Sequence, residues 1–197
     1  DLKSCVNSVL KQTGCETEVI ISDNDSHDNS LDLLKPLSDS INVILNKANL
    51  GFGKACNIGF KHATGDYVFY LNPDARIVDP DGLHKMLEFM ETHPDYGLIG
   101  PKVMSHNQLS EPQYRYIGEQ YLKKPLESLP GKVAWVIGAA MFARREVIEK
   151  IKGFDEDYFL YGEELDLCLR VRRAGWAVGF FDSVTIEHVG GTTVRLI

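Results

Sequence analysis

The chain has 197 residues, 44% hydrophobic and 25% charged, with a formal net charge of -7. That length can bury a real core and suits one large domain or two small ones. The acidic balance excludes a general phosphate-backbone surface, so no nucleic-acid partner is expected, while a local anion site stays open. The longest apolar run, "VAWVIGAAMFA" (133–143), is too short to cross a bilayer. Cys5, Cys15, Cys56 and Cys168 form no Cys-x-x-Cys pair, so no zinc site is expected. They read as reduced thiols in a cytosolic setting. The sequence begins at Asp1 directly in a helical pattern, and a natural N-terminus upstream of it is expected.

Leu2, Val6, Val9 and Leu10 recur at helical spacing. "EVIISD" (18–23) reads as a buried strand with a polar end. Asp28 to Lys35 reads as a short helix stopped by Pro36. "INVILN" (41–46) is a second strand, and "GFGKACNIGFKHATG" opens on glycines and turns helical. "DYVFYL" (66–71) is a third strand, "DGLHKMLEFMETH" (81–93) an amphipathic helix with Pro94 beyond it, and "GLIGPKV" (97–103) another strand. Residues 104–131 lack periodicity and read as a long loop that would serve as a lid. A strand and short helix follow in "KVAWVIGAAMFARREVIEKI", then a helix, "ELDLCLRVRRAGW", closed by Gly175. "WAVGFF" and "SVTIEH" read as two short strands. No repeat or interdomain linker is visible.

Helix and strand alternate through the first hundred residues, which predicts βα units on a mostly parallel sheet. Ligands of such sheets bind beyond the carboxyl ends of the strands. Three ends are polar: Asp23-Asn24, Asn46 to Asn49, and Asn72-Pro73-Asp74. They are expected side by side on one edge.

Each motif has a plain reading beside the functional one. "NLGFGKACNIG" (49–59) fails the dinucleotide pattern, because its third glycine falls at Cys56. It fails the phosphate-loop pattern at Ala48 and Ala55. What is left is a glycine-rich strand-to-helix turn, either a ligand approach or a tight turn. "DNDSHDNS" (23–30) fails as a calcium loop at Asp28 and Leu34, and helix capping accounts for part of it. Asn72-Pro73-Asp74 is good turn chemistry, and His188 alone is ordinarily structural. Together, Asp74 and His188 would offer one oxygen and one nitrogen ligand, a mixture that suits manganese better than calcium. Glu163, Glu164 and Asp166 either complement a helix N-terminus or include a general base. Phe154, Tyr158, Phe159 and Tyr161 either wall a sugar pocket or belong to the core.

In their order, "SVLKQT", "EVIISDNDSHDNS", "NLGFGKACNIGFKHATGDYVFYLNPDA", "GAAMFARREV", "GFDEDYFLYGEELDLCLRVRRAGW" and "HVGGT" resemble the inverting glycosyltransferases of family 2, which have the GT-A fold. The resemblance is strongest to the rhamnosyltransferase-like branch. It implies an α/β fold with a central sheet flanked by helices. It also implies a single domain over 1–197, with a nucleotide-binding half (1–75) and an acceptor and catalytic half (76–197). Asp23 and Asn24 match the strand end that contacts the nucleoside. Asn49, Gly51 and Asn57 match the turn and helix beside the nucleotide. Asn72-Pro73-Asp74 matches the Asp-x-Asp metal motif with Asn72 in place of the first acid, so Asp74 is the main carboxylate ligand of Mn2+ or Mg2+. His188 matches a histidine that helps hold the metal-diphosphate, and Glu163-Glu164 the acidic pair whose second member is the base.

The resemblance further implies a nucleotide-sugar donor, dTDP-rhamnose before UDP-sugars, and a glycan or lipid-linked sugar acceptor. A cytoplasmic protein with peripheral contact at the inner membrane face follows. Three departures stand out: the usual first strand is missing, Glu164 replaces an Asp, and the chain stops soon after "HVGGT". The extra methylene of Glu164 moves the base by roughly a bond length, and errors of ~1 Å can be costly. Two other readings are a nucleotidyltransferase, which needs a basic glycine-rich triphosphate loop not visible here, and a non-catalytic sugar- or nucleotide-binding module.

Overall fold

The computed structural model describes residues 1–105 and 133–189. Residues 106–131 of the expected lid, and the end of "HVGGT" from Gly190, lie outside the described residues. The chain runs through α1 (Leu2–Leu10), β1 (Ile20–Asp23), a 3-10 helix (Asp32–Ser40), β2 (Asn42–Leu45) and α2 (Phe52–His62). It continues with β3 (Tyr67–Leu71), β4 (Ala75–Ile77), α3 (Gly82–Thr92) and β5 (Tyr96–Ser105). Beyond residue 132 come β6 (Ala140–Arg144), α4 (Arg145–Ile151), α5 (Glu163–Arg173) and β7 (Ala177–His188).

β1 and β2 pair in parallel, and a separate five-stranded sheet has the order β3-β6-β5-β7-β4. The expectation of parallel strands holds for β1–β2 and β5–β7, while β3–β6, β5–β6 and β4–β7 are antiparallel. The result is a mixed α/β sheet flanked by helices. No strand among the described residues joins β1 to β3.

Period-2 alternation divides the core between the two faces of the large sheet. Leu98, Met141, Ala143 and Val178 face α4 and α5, where Val147, Ile148, Leu167 and Val171 pack on them. Their strand neighbours Ile99, Ala140 and Phe142, together with Ile186 near the far end of β7, face α3, with Leu83, Met86 and Met90. Because both faces are covered, β6 reads apolar without a break from Ala140 to Ala143. Full burial of each such aliphatic side chain stabilises the fold by about 1.5–3 kcal/mol. α5 carries acids in its first turn and Arg170, Arg172 and Arg173 in its last, which suits its dipole.

Two elements differ from expectation. Pro36 does not stop a helix; it sits inside the 3-10 helix, whose backbone accepts proline's fixed φ at the loss of one bond. The two short strands expected near the end are one strand, β7. Its ladder with β5 jumps from Pro101–Phe181 to Lys102–Thr185, so residues 182–184 bulge out. Pro101 has no N–H to offer the ladder, and the bulge falls at that position.

β3 and β4 are opposite edge strands, yet only Asn72, Pro73 and Asp74 connect them. That link reaches at most about 14 Å, whereas four strand spacings in a flat sheet come to about 19 Å. The sheet therefore curls, and the link crosses its mouth. α1 shields the outer edge: Ile77 N donates to Ser8 Oγ at 3.1 Å.

Candidate functional site

The Asn72–Asp74 link is held from several sides. Asn72 N donates to Ala139 O at 2.9 Å, Ala75 N closes a turn onto Asn72 O at 3.0 Å, and Val189 N donates to Asp74 O at 3.1 Å. Because β4 pairs with β7 in a register that sets Ala75 opposite His188, the imidazole falls beside the carboxylate. His188 Nε2 lies 3.1 Å from Asp74 Oδ1 and 3.4 Å from Asn72 Nδ2. Both side chains of the ion pair are largely buried. Asn72 Oδ1 is buried with no hydrogen-bond partner among the described residues.

Asp74 and His188, paired in this way, and the orphaned Asn72 oxygen form a mixed oxygen and nitrogen donor set. Such a set fits a borderline divalent ion such as Mn2+. Among the described residues no group of three or more His, Cys, Asp or Glu gathers as a cage. A cation held by so few protein groups would take its remaining ligands from substrate phosphates and water, as metals at nucleotide sites commonly do. Cys5 donates its thiol to Asn72 O at 3.4 Å from α1. Burial, and then the charge of Asp74, pushes that thiol up to about 12, so it acts here as a hydrogen-bonding thiol rather than a thiolate.

The other two polar strand ends are joined to each other. Asn46 Nδ2 donates to Asn24 Oδ1 at 2.9 Å and to Ser22 Oγ at 3.1 Å, and Asn24 Nδ2 donates to Gly51 O at 3.0 Å. Gly51 N donates to Asn49 Oδ1 at 3.1 Å, and Asp23 Oδ2 accepts from Ser26 N at 3.1 Å. Gly51, at φ 85, is the N-cap of α2. A Cβ there would meet Phe159 O at 2.5 Å, so both backbone and space demand glycine. The close approach expected of a ligand at this turn is made by the carbonyl of Phe159, which also accepts from Phe52 N at 3.0 Å.

Asn57, further along α2, is buried and engaged inside the protein. Its Oδ1 accepts from Phe154 N at 2.8 Å, and its Nδ2 donates to Phe154 O at 2.9 Å and to Glu156 Oε1 at 3.2 Å. It clamps the 153–156 loop onto α2. Phe154 is core, whereas Tyr158, Phe159 and Tyr161 are exposed.

Glu163 and Glu164 open α5 but have different surroundings. Glu163 is 5% exposed, and its Oε2 is without a partner among the described residues. Burial, and secondarily the charge of Glu164, holds its carboxyl above the usual range, with nearby backbone amides acting against them. Glu164 Oε2 accepts from Gly162 N at 3.2 Å. A Cβ on Gly138 would lie 3.4 Å from Glu164 Cβ, so this side chain rests directly against Gly138. Ala139, the next residue, anchors Asn72. The Gly138-Ala139 pair thus stands between the acidic helix start and the Asn72–Asp74 link. The sequence contains "GAAMFA" but gives no local sign of this placement.

The Glycosyl transferase family 2 model matches residues 1–152. The N-acetylglucosaminyl-diphospho-decaprenol L-rhamnosyltransferase of Mycobacterium tuberculosis is 24% identical, over 95% of this chain and 71% of its own length. Two solved structures share the fold. One is Staphylococcus aureus TarS 1–349 in complex with UDP-GlcNAc (TM-score 0.77, 18% identity, covering 100% of this chain and 57% of that one). The other is the mannosyltransferase PcManGT from Pyrobaculum calidifontis with GDP-Man and Mn2+ (TM-score 0.73, 17% identity, covering 97% and 53%). The chain therefore spans just over half the length of either solved relative.

Proposed function

Because the chain belongs to glycosyl transferase family 2, we propose that it transfers a sugar, with inversion, from a nucleotide-diphosphate donor to a hydroxyl of a glycan or lipid-linked acceptor. The observation that carries this reading is the geometry around Gly138-Ala139. One side of that pair touches Glu164; the other anchors Asn72, whose neighbour Asp74 is paired with His188.

Glu164 is the general base. Its carboxylate accepts the acceptor's hydroxyl proton as that oxygen attacks the anomeric carbon. The new C–O bond forms on the face opposite the departing diphosphate, the bond to the diphosphate oxygen breaks with its electron pair leaving on that oxygen, and the configuration inverts. The bond from Gly162 N holds the Glu164 carboxylate, and its stem packs against Gly138. Glu163 is buried beside the base, and that burial raises its carboxyl above the usual range. Asp23, Asn24, Asn49 and Gly51 form the nucleoside side, their amides ordered by the Asn46–Asn24–Gly51 chain of hydrogen bonds. Asn57 supports that side from behind by holding the 153–156 loop. Asp74 and His188, with Asn72, would hold a divalent cation, Mn2+ or Mg2+, whose charge offsets the charge gathering on the departing diphosphate.

The donor is a dTDP- or UDP-sugar, with dTDP-rhamnose favoured by the likeness to a rhamnosyltransferase. The acceptor of that relative is lipid-linked by its name, which supports a lipid-linked acceptor and work at a membrane face. Among the described residues no helix is long and apolar enough to cross a membrane. Calorimetric titration with UDP, dTDP and GDP, with and without Mn2+, tests the reading. Metal-dependent binding of one nucleotide that disappears in Asp74→Ala is the expected result. A protein that binds none of the three would overturn it.

A further inference from the structure

Residues 158–161, Tyr-Phe-Leu-Tyr, are consecutive and all exposed: 39%, 59%, 38% and 66%. Single exposed apolar side chains need no explanation, but an unbroken run of four does. The run does not hang free. Asn57 clamps its upstream end through Phe154 and Glu156, and Phe52 N bonds Phe159 O. Phe159 lies against Gly51, and the ring of Tyr158 lies against Gly162, where a Cβ would meet it at 3.3 Å. The segment is therefore a strap between the N-termini of α2 and α5.

Tyr161 takes φ 69, a left-handed conformation unfavourable for a residue with a Cβ, immediately before Gly162 at φ 96. Strain of this kind persists where the surroundings enforce it, and it clusters at functional sites. Here it turns the most exposed ring of the strap outward, three residues before Glu164.

We propose that Tyr158 and Tyr161 form the acceptor platform, a surface that stacks an uncharged sugar ring and presents its hydroxyl to Glu164. This rests on the transferase reading above and names the acceptor chemistry of that same site. A pyranose has C–H faces that match an aromatic face and a rim of hydroxyls that match the phenolic oxygens. Charge favours the neutral ring over an anionic partner. From 154 to 166 the chain carries Asp155, Glu156, Asp157, Glu163, Glu164 and Asp166 and no Lys or Arg, while Lys54 of α2 pairs with Glu156 and Arg170 of α5 with Asp166. The remaining acids disfavour an anionic lipid surface within a Debye length of about 8 Å. On a lipid-linked acceptor, the sugar sits on the platform and the diphosphate points away.

Saturation-transfer NMR with methyl N-acetyl-β-glucosaminide and methyl α-rhamnoside tests this, run with and without nucleotide and Mn2+. Flotation on vesicles of phosphatidylcholine and phosphatidylglycerol runs alongside. The parent protein is expected to saturate the ring C–H protons of at least one glycoside. Tyr158→Ala/Tyr161→Ala is expected to lower that signal at least fivefold while nucleotide affinity stays within twofold. Tyr161→Phe, which keeps the ring, is expected to retain most of the signal, and thermal melting establishes that each variant folds. No glycoside signal in the parent, an unchanged signal in the double variant, or vesicle binding that the double variant abolishes would each overturn the platform. A protein that binds glycosides through these rings but binds no nucleotide would overturn the transferase reading and leave the platform standing.

Discussion

Asp74 Oδ1 and His188 Nε2 meet at 3.1 Å because β4, three residues long, pairs with the last residues of β7. If this pair holds a cation against a diphosphate, each residue should matter for metal-dependent affinity and less for metal-free affinity. Asp74→Ala and His188→Ala are each expected to remove a tenfold or greater gain on adding Mn2+, equivalent to about 1.4 kcal/mol per factor of ten. Titration calorimetry with the preferred nucleotide reads the gain directly. Its survival in both variants would assign the pair to fold maintenance alone.

Glu164→Gln keeps the size and the bond from Gly162 N but cannot take a proton. Turnover is expected to fall by about 10²- to 10⁴-fold, the usual range for a positioned base, with nucleotide affinity unchanged. Steady-state transfer assays paired with nucleotide titration check both halves. Equal losses in turnover and nucleotide affinity would place Glu164 in donor binding instead.

Glu163 gives a pH dependence of stability. Its pKa is raised in the folded chain, so the native state keeps this proton to higher pH than the unfolded state does. Its contribution is fully present below the ordinary glutamate pKa of about 4.3 and is lost as pH rises through the raised folded value. Glu163→Gln cannot ionise. Its stability relative to the parent is expected to climb between pH 4 and pH 8, measured by urea unfolding at several pH values. A difference that stays flat over that range counts against a buried proton on Glu163.

Asn57 holds both the N–H and the C=O of Phe154 in a buried setting. Asn57→Ala strands both, at about 1–3 kcal/mol for each unsatisfied buried group, so a total loss of about 2–6 kcal/mol is expected. Asn57→Asp keeps the acceptor but sets a buried carboxylate against Glu156 Oε1 and Phe154 O, so it is expected to lose at least as much. Urea midpoints at constant slope measure this, and a change under 1 kcal/mol for Asn57→Ala would show that the loop is held by other contacts.

Much of the architecture was legible in the chain. The apolar runs of "DYVFYL" and "GLIGPKV", and the helical spacing of Leu83, Met86 and Met90, are set within a few residues of each other, where backbone geometry alone sets the pattern. The polar strand ends at Asp23, Asn46 and Asn72–Asp74 were visible for the same reason: an apolar run stops and turn chemistry begins. β4 escaped notice because three residues carry too little periodicity, and β7 read as two strands because its bulge places polar Asp182-Ser183 in mid-strand.

The tertiary structure decided which of those residues meet. No spacing along the chain relates Asp74 to His188, Gly138 to Glu164, or Phe159 to Gly51. Those contacts depend on the curl that brings opposite sheet edges within reach of a three-residue link, and on how α2 and α5 pack. The same packing assigned Asn57 and Phe154 to the interior and left Tyr158 and Tyr161 in solvent. The sequence by itself determined the elements and the chemistry at their ends, because those are properties of neighbouring residues. Long-range closure of the sheet determined the site, because distance in space between remote residues is fixed by the whole fold and by no segment of it.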